Sequence, residues 1–204
     1  MNKILIFANC QGTAIGKMLK YAGYDDIHTY HNYTYITHDA LDNNIKYDLE
    51  TCDIFIYQPL SETYKIYNTN NLKKYLKNSC ISISFPYIFN DAFIPLYISY
   101  KWDIPVNGEY NLNGDKIKYG NVNTIKKYKD LGYSLETIID LYNKNMIDFD
   151  YENRFNNSIS ILENKELHTD IKISKFIKEN YKKFRLFNYH QNNSDHDITF
   201  CNHP

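Results

Sequence analysis

The sequence predicts an α/β fold, with a mostly parallel, Rossmann-like sheet in three layers and a helical C-terminal half. Three observations point there. Four candidate strands lie between Lys3 and Phe85, of which Lys3–Asn9 and Asp53–Tyr57 are short apolar runs closed by turn signals. The segments between them carry apolar residues at helical spacing. From Val122 to Lys183 the pattern is helical throughout. Strands alternating with helices give a parallel sheet with helices on both faces.

The elements follow in order. Lys3–Asn9 (KILIFAN) is a continuous apolar run that stops at Cys10-Gln11-Gly12, as suits a strand buried on both faces. Thr13–Tyr21 places Ile15, Met18 and Leu19 at helical spacing, and Ala22-Gly23 ends the helix. Asp26–Ile36 is rich in β-branched and aromatic residues and reads as a second strand. Leu41–Leu49 reads as a short helix, Asp53–Tyr57 as a third strand ended by Gln58-Pro59, and Asn70–Asn78 as a helix. Cys80–Phe85 is a fourth strand, stopped by Pro86. Tyr87–Tyr119 is an irregular excursion with a hairpin signal at Asn113-Gly114. Helices are then expected over Val122–Leu131, Ser134–Asn143 with Ser134 as N-cap, Phe155–Leu167 and Ile171–Lys183. Arg185–Tyr189 reads as a fifth strand. No linker or internal repeat interrupts the chain, so residues 1–204 are expected to form a single domain.

Composition narrows the function. A formal net charge of -1 over 204 residues lacks the basic footprint of a general nucleic-acid binder. No apolar run approaches the roughly 18 residues of a membrane span, and no signal-peptide core is seen, so a cytoplasmic protein is expected. The 4 cysteines (10, 52, 80 and 201) form no Cys-x-x-Cys pair and read as reduced thiols. Cys52 and Cys80 precede strands and read as core. The 21 tyrosines follow a general bias in composition and do not mark a stacking site.

Chemistry concentrates at Asn9-Cys10-Gln11-Gly12. This segment lies at the C-terminal edge of the first strand, where ligands bind in open α/β sheets. A helix N-terminus stabilises a thiolate, which lowers the pKa of a thiol there and makes it more nucleophilic at neutral pH. Gln11 offers a donor to an oxyanion or phosphate, and Gly12 offers close backbone approach or a positive φ. A small buried cysteine closing a strand fits the same position of Cys10. Gly12 to Met18 lacks one residue and the hydroxyl of a Walker A loop, and no dinucleotide glycine pattern is present. Gln58, Ser61, Pro86 and Tyr87 follow the third and fourth strands, at the same sheet edge if the strands are parallel. Late in the chain, His203 and His190 are the candidate bases for a Cys-His arrangement. His28-x-x-His31, with His38 nearby, carries metal-binding residue types, but on a strand the first two face opposite ways, so no metal is expected.

Together these pieces resemble the WcbI family of capsular polysaccharide biosynthesis proteins. The resemblance rests on ILIFANCQG (4–12), DIFIYQPL (53–60), SFPY (84–87), DIKISKFIKENYKKFRLF (170–187) and the final NHP (202–204), in that order. It implies an α/β fold that binds coenzyme A and an acetyl- or acyltransferase acting on surface polysaccharide. It also implies that Cys10, Gln11, Gln58 and His203 are site residues. Asn9, Gly12, Thr13, Ser61, Pro86, Tyr87 and Asn202 are the further candidates for substrate or cofactor binding, read from their places near the strand ends and the two late histidines. Two departures stand out. A polar insertion separates Leu186-Phe187 from His203, leaving His190 nearer the family spacing. The family's C-terminal helix after His-Pro is missing, which makes residue 204 read as a truncation point.

Three functions fit this reading. One is an acyltransferase with an acyl-coenzyme A donor and a sugar hydroxyl acceptor. The second is an SGNH-like esterase with Cys10 in place of serine, acting on acylated glycans. The third is a non-catalytic coenzyme A or glycan-binding module. Lys17, Lys20, Arg154 and Arg185 are the cations available for coenzyme A phosphates.

Overall fold

The computed structural model describes residues 2–90, 92, 122–144 and 146–181. These fall into two compact units. Residues 2–88 with 160–181 make the first, and the described part of 89–159 belongs to the second.

The first unit is built on four parallel strands: β1 (Ile4–Ala8), β2 (Ile27–His31), β3 (Ile54–Tyr57) and β4 (Ile81–Ser84). Their spatial order is β2-β1-β3-β4. All of β1 is buried, which is why its sequence is apolar without alternation. Ile4, Ile6 and Ala8 turn to one face, where Ile15 and Leu19 of helix α1 (Cys10–Tyr21) pack. Leu5 and Phe7 turn to the other, against Ile45 and Leu49 of α3 (Asn43–Thr51) and Leu72 of α4 (Thr69–Lys73). The predicted three-layer, parallel α/β arrangement is therefore present in this unit.

Several boundaries differ from expectation. Helix α1 begins at Cys10, not Thr13, because the Asn9 side chain accepts the Gln11 N–H as an N-cap. Its end is as predicted, with Ala22 as C-cap and Gly23 at φ +91°. Strand β2 stops at His31, opposite Ala8, where β1 also stops. With no ladder partner beyond that point, Asn32–Tyr35 coils into a short helix, α2, and Tyr35 turns onto the Tyr67 ring. A kinked 3-10 segment, Glu62–Tyr67, precedes α4 and was not foreseen. Helix α4 itself is shorter than the predicted Asn70–Asn78.

The edge of β4 is covered. The Asp170 carboxylate accepts both the N–H (2.7 Å) and the hydroxyl (2.6 Å) of Ser84, and Ile171 donates to the Ser84 carbonyl. These bonds use up strand-edge groups that would otherwise invite another chain. Two stretches of the family resemblance, SFPY and DIKISKF, thus meet directly. Helix α8 (Ser174–Asn180) follows, its first amides held by the buried Glu166 carboxylate. Of its predicted apolar face, Ile177 is buried but Phe176 is half exposed.

The second unit contains α5 (Val122–Asp130) and α6 (Leu135–Asn143), with Ser134 capping α6 as predicted. Ile138, Ile147 and Phe149 form its core. Helix α7 (Tyr151–Glu166) starts four residues before the predicted Phe155, after a turn in which Asp148 accepts the Asp150 N–H. The expected hairpin at 113–114 and fifth strand at 185–189 lie outside the described residues.

Candidate active site

The chain runs from β1 to β2 on one side and then crosses to β3 on the other. The carboxyl ends of β1 and β3 therefore flank a topological switch point, the place where open α/β sheets bind ligands. Asn9 and Gln58, the residues that follow these two strands, meet there.

A chain of amides fixes the local geometry. The Asn9 N–H donates to Gln58 Oε1 at 2.8 Å, so the Gln58 amide must present its Nε2 the other way. Gln58 Nε2 donates to Gln11 Oε1 at 2.9 Å. Gln11 Nε2 then reaches the Ile88 carbonyl at 2.6 Å, and the Ile88 N–H returns to Gln11 Oε1 at 3.2 Å. Ends of β1, β3 and β4 are thus tied to the first turn of α1. Gln58 is 4% exposed and reaches Gln11 from inside the protein. Gln11 is only half buried, and among the described residues one of its two amide protons has no partner. Cys10, half buried, is the first helical residue between them.

Gly12 has a different task from the one expected. It is helical and buried, not at positive φ, and its N–H already donates to the Asn9 carbonyl. A Cβ there would lie 3.0 Å from both Ala8 Cβ and Ile6 Cγ2, so the missing side chain lets α1 sit close on β1. Its amide is not available to an oxyanion. Ser61 is exposed and bonds Thr63 locally. Pro86 is buried just past β4, and the half-buried Tyr87 next to it carries the Lys165 ammonium 4.8 Å from its ring centroid. His190, Asn202 and His203 lie outside the described residues.

A scan of family models matches residues 3–194 to the polysaccharide biosynthesis enzyme WcbI. The chain belongs to the WcbI family. A solved WcbI structure, a polysaccharide biosynthesis enzyme, is similar at a TM-score of 0.62 and 17% identity over 90% of this chain. That likeness supports the fold, and the chain spans 61% of the length of the solved protein. The solved protein is described as the native form without a disulfide bond between coenzyme A and one of its cysteines. No curated protein matches the chain.

Within this WcbI-family chain, two further residues come next to these ones, His31, which the sequence suggested only as a metal ligand, and one that it did not suggest. His31 ends β2, beside β1, and its Nε2 shares a 2.8 Å hydrogen bond with the Thr13 hydroxyl. Its Nδ1 meets the Tyr33 hydroxyl at 3.0 Å. The order β2-β1 was the missing signal, because it brings His31 beside the first turns of α1. His28 faces away, to Asp48 at 2.8 Å and Asp26 at 3.2 Å. Among the described residues, no three His, Cys, Asp or Glu side chains group to hold a metal ion. The second residue is Lys165. It is exposed as a whole, yet desolvation around its ammonium lowers its pKa. Of the cations foreseen, Lys17 and Lys20 are exposed on α1, Arg154 belongs to the second unit, and Arg185 is outside the described residues. No described helix is long and apolar enough to cross a membrane.

Proposed function

We propose that the chain is a cytoplasmic acyltransferase of capsular polysaccharide biosynthesis. It would take an acyl (acetyl) group from acyl-coenzyme A and pass it to a sugar hydroxyl. The observation that carries this reading is the place of Cys10, first in α1 at the β1/β3 crevice, beside a glutamine amide held in one orientation. The description of the solved WcbI names coenzyme A together with one of that protein's cysteines, which supports the choice of donor.

The residues fit such a donor. The remaining Gln11 N–H is a donor for a thioester oxygen as it gains charge, and the helix N-terminus favours negative charge nearby. The Cys10 sulfur attacks the thioester carbonyl carbon. The bond to the coenzyme sulfur breaks, and coenzyme A leaves as the thiol with the proton that Cys10 gives up. The sugar oxygen then attacks the acyl group on Cys10 and loses its proton to His203 or His190. The Cys10–acyl bond breaks, and the thiol is restored by the same base.

Native mass spectrometry of the purified protein tests the donor, with a retained mass of coenzyme A as the expected result. An assay with acetyl-coenzyme A and a glycan acceptor tests the reaction. Acetate released from acetylated glycan, indifferent to coenzyme A, would overturn the transferase in favour of an esterase.

A further inference from the structure

We propose that Lys165, seated on the ring of Tyr87, binds a phosphate group of the substrate at the rim of the Cys10 site. The choice of coenzyme A as the first probe rests on the function proposed above.

The placement comes from connected contacts. Lys165 Nζ lies 4.8 Å from the Tyr87 ring centroid, a cation–π contact that fixes a flexible side chain. Tyr87 directly precedes Ile88, whose N–H and C=O both bond the Gln11 amide. Lys165 is thus linked through Tyr87 and Ile88 to the Gln11 amide. Its backbone is also held, because the next residue, Glu166, is buried and bound to the first amides of α8.

Among the described residues, Lys165 has no counter-charge. Lys3, Lys77, Lys127, Lys144 and Lys178 each lie against a carboxylate, at Asp48, Asp53, Asp148, Asp140 and Glu163. No described carboxylate pairs with Lys165, and Glu166 spends its oxygens on Ile173 and Ser174. Desolvation lowers its pKa with nothing opposing the shift. A cation kept partly dry and unpaired at the rim of a crevice is matched by an incoming anion, and phosphate monoesters and diphosphates give charge-assisted bonds to an ammonium. Such a group comes with coenzyme A or with a nucleotide-activated sugar.

The test compares coenzyme A, pantetheine (which has no phosphate) and UDP-N-acetylglucosamine by calorimetry, on the wild type, Lys165→Gln and Lys165→Arg. The expected result is coenzyme A binding weakened about tenfold in Lys165→Gln, largely restored in Lys165→Arg, with pantetheine binding unchanged. Tenfold weakening for the nucleotide sugar alone would assign the phosphate to the acceptor and keep the site. Equal weakening for coenzyme A and pantetheine, or no change for any probe, would overturn it. If the wild type binds neither coenzyme A nor pantetheine, the donor reading fails, and the nucleotide sugar alone decides the role of Lys165. A wild type that binds none of the three overturns the phosphate site as well.

Discussion

Gln58 Oε1 accepts the Asn9 backbone N–H at 2.8 Å, and this bond joins the end of β3 to the N-cap of α1. The Gln58 amide also sets which way Gln11 points. Gln58→Leu leaves the Asn9 N–H without its partner and should cost about 2 kcal/mol in urea unfolding. Gln58→Glu keeps the acceptor for Asn9 but loses the donor to Gln11 Oε1. Its carboxylate would be buried with one oxygen against Gln11 Oε1, so it should cost at least as much stability as Gln58→Leu and lower acyl transfer at least as far. Equal activity in Gln58→Glu and wild type would show that Gln11 needs no such orientation.

Gly12→Ala should be destabilising although alanine is the better helix former. Its Cβ would lie 3.0 Å from Ala8 Cβ, on the buried strand β1. Overpacking of this kind costs about 1–3 kcal/mol. At Gly16 the nearest obstacle is the Thr29 hydroxyl at 3.1 Å, a side-chain end with more room to adjust. Thermal melts should therefore rank Gly12→Ala below Gly16→Ala, and the reverse order would contradict the packing role.

Asp48 ties acid stability to the sheet. It is buried and bonds Lys3 (2.7 Å), Tyr30 (2.7 Å) and His28 (2.8 Å). Burial opposes its ionisation, but the bonds from Lys3 and Tyr30 and the charge of His28 outweigh it, so its pKa is lowered. Its contribution is complete above the unfolded value, about 4, and is lost as pH falls through the lower folded value. Urea midpoints should fall below about pH 4 more steeply in the wild type than in Asp48→Asn. At neutral pH, Asp48→Asn should cost about 3 kcal/mol.

The base is sought among three histidines. His31 is engaged at both ring nitrogens, by Thr13 and Tyr33. His31→Gln should lower the transfer rate by less than about tenfold, whereas loss of the base among His203 and His190 should lower it by about 100-fold or more. A deficit in His31→Gln as large as the base's own, with a changed pH profile, would move the role to His31.

Much of this fold was legible because β1, β3 and β4 are short apolar runs with hard stops, and such runs have few other uses. The start of α1 was not, because Cys10-Gln11-Gly12 looks like a turn until Asn9 is seen to cap it. Gly12 suggested a ligand contact, but only the packed sheet shows Ala8 and Ile6 beneath it. The extent of β2 depended on where β1 ends, which β2's own residues do not record. Gln58 and Gln11 were readable from their positions at strand ends as residues of one sheet edge, where their side chains meet. The partners of Gln11 and of Ser84, Ile88 and Asp170, were not, since both pairings join distant parts of the chain. Lys165 stood in a charged helix with nothing local to set it apart from its neighbours.

Cys10 is proposed to carry the acyl group. The protein incubated with acetyl-coenzyme A and no acceptor, then quenched, digested and mapped by mass spectrometry, tests it most directly. Cys52 is an internal control, since burial, reinforced by Cys80, pushes its pKa up to about 12. The expected result is one acetyl group on Cys10, none on Cys52, and loss of the adduct and of transfer in Cys10→Ala. An unmodified Cys10, together with full activity in Cys10→Ala, would contradict it.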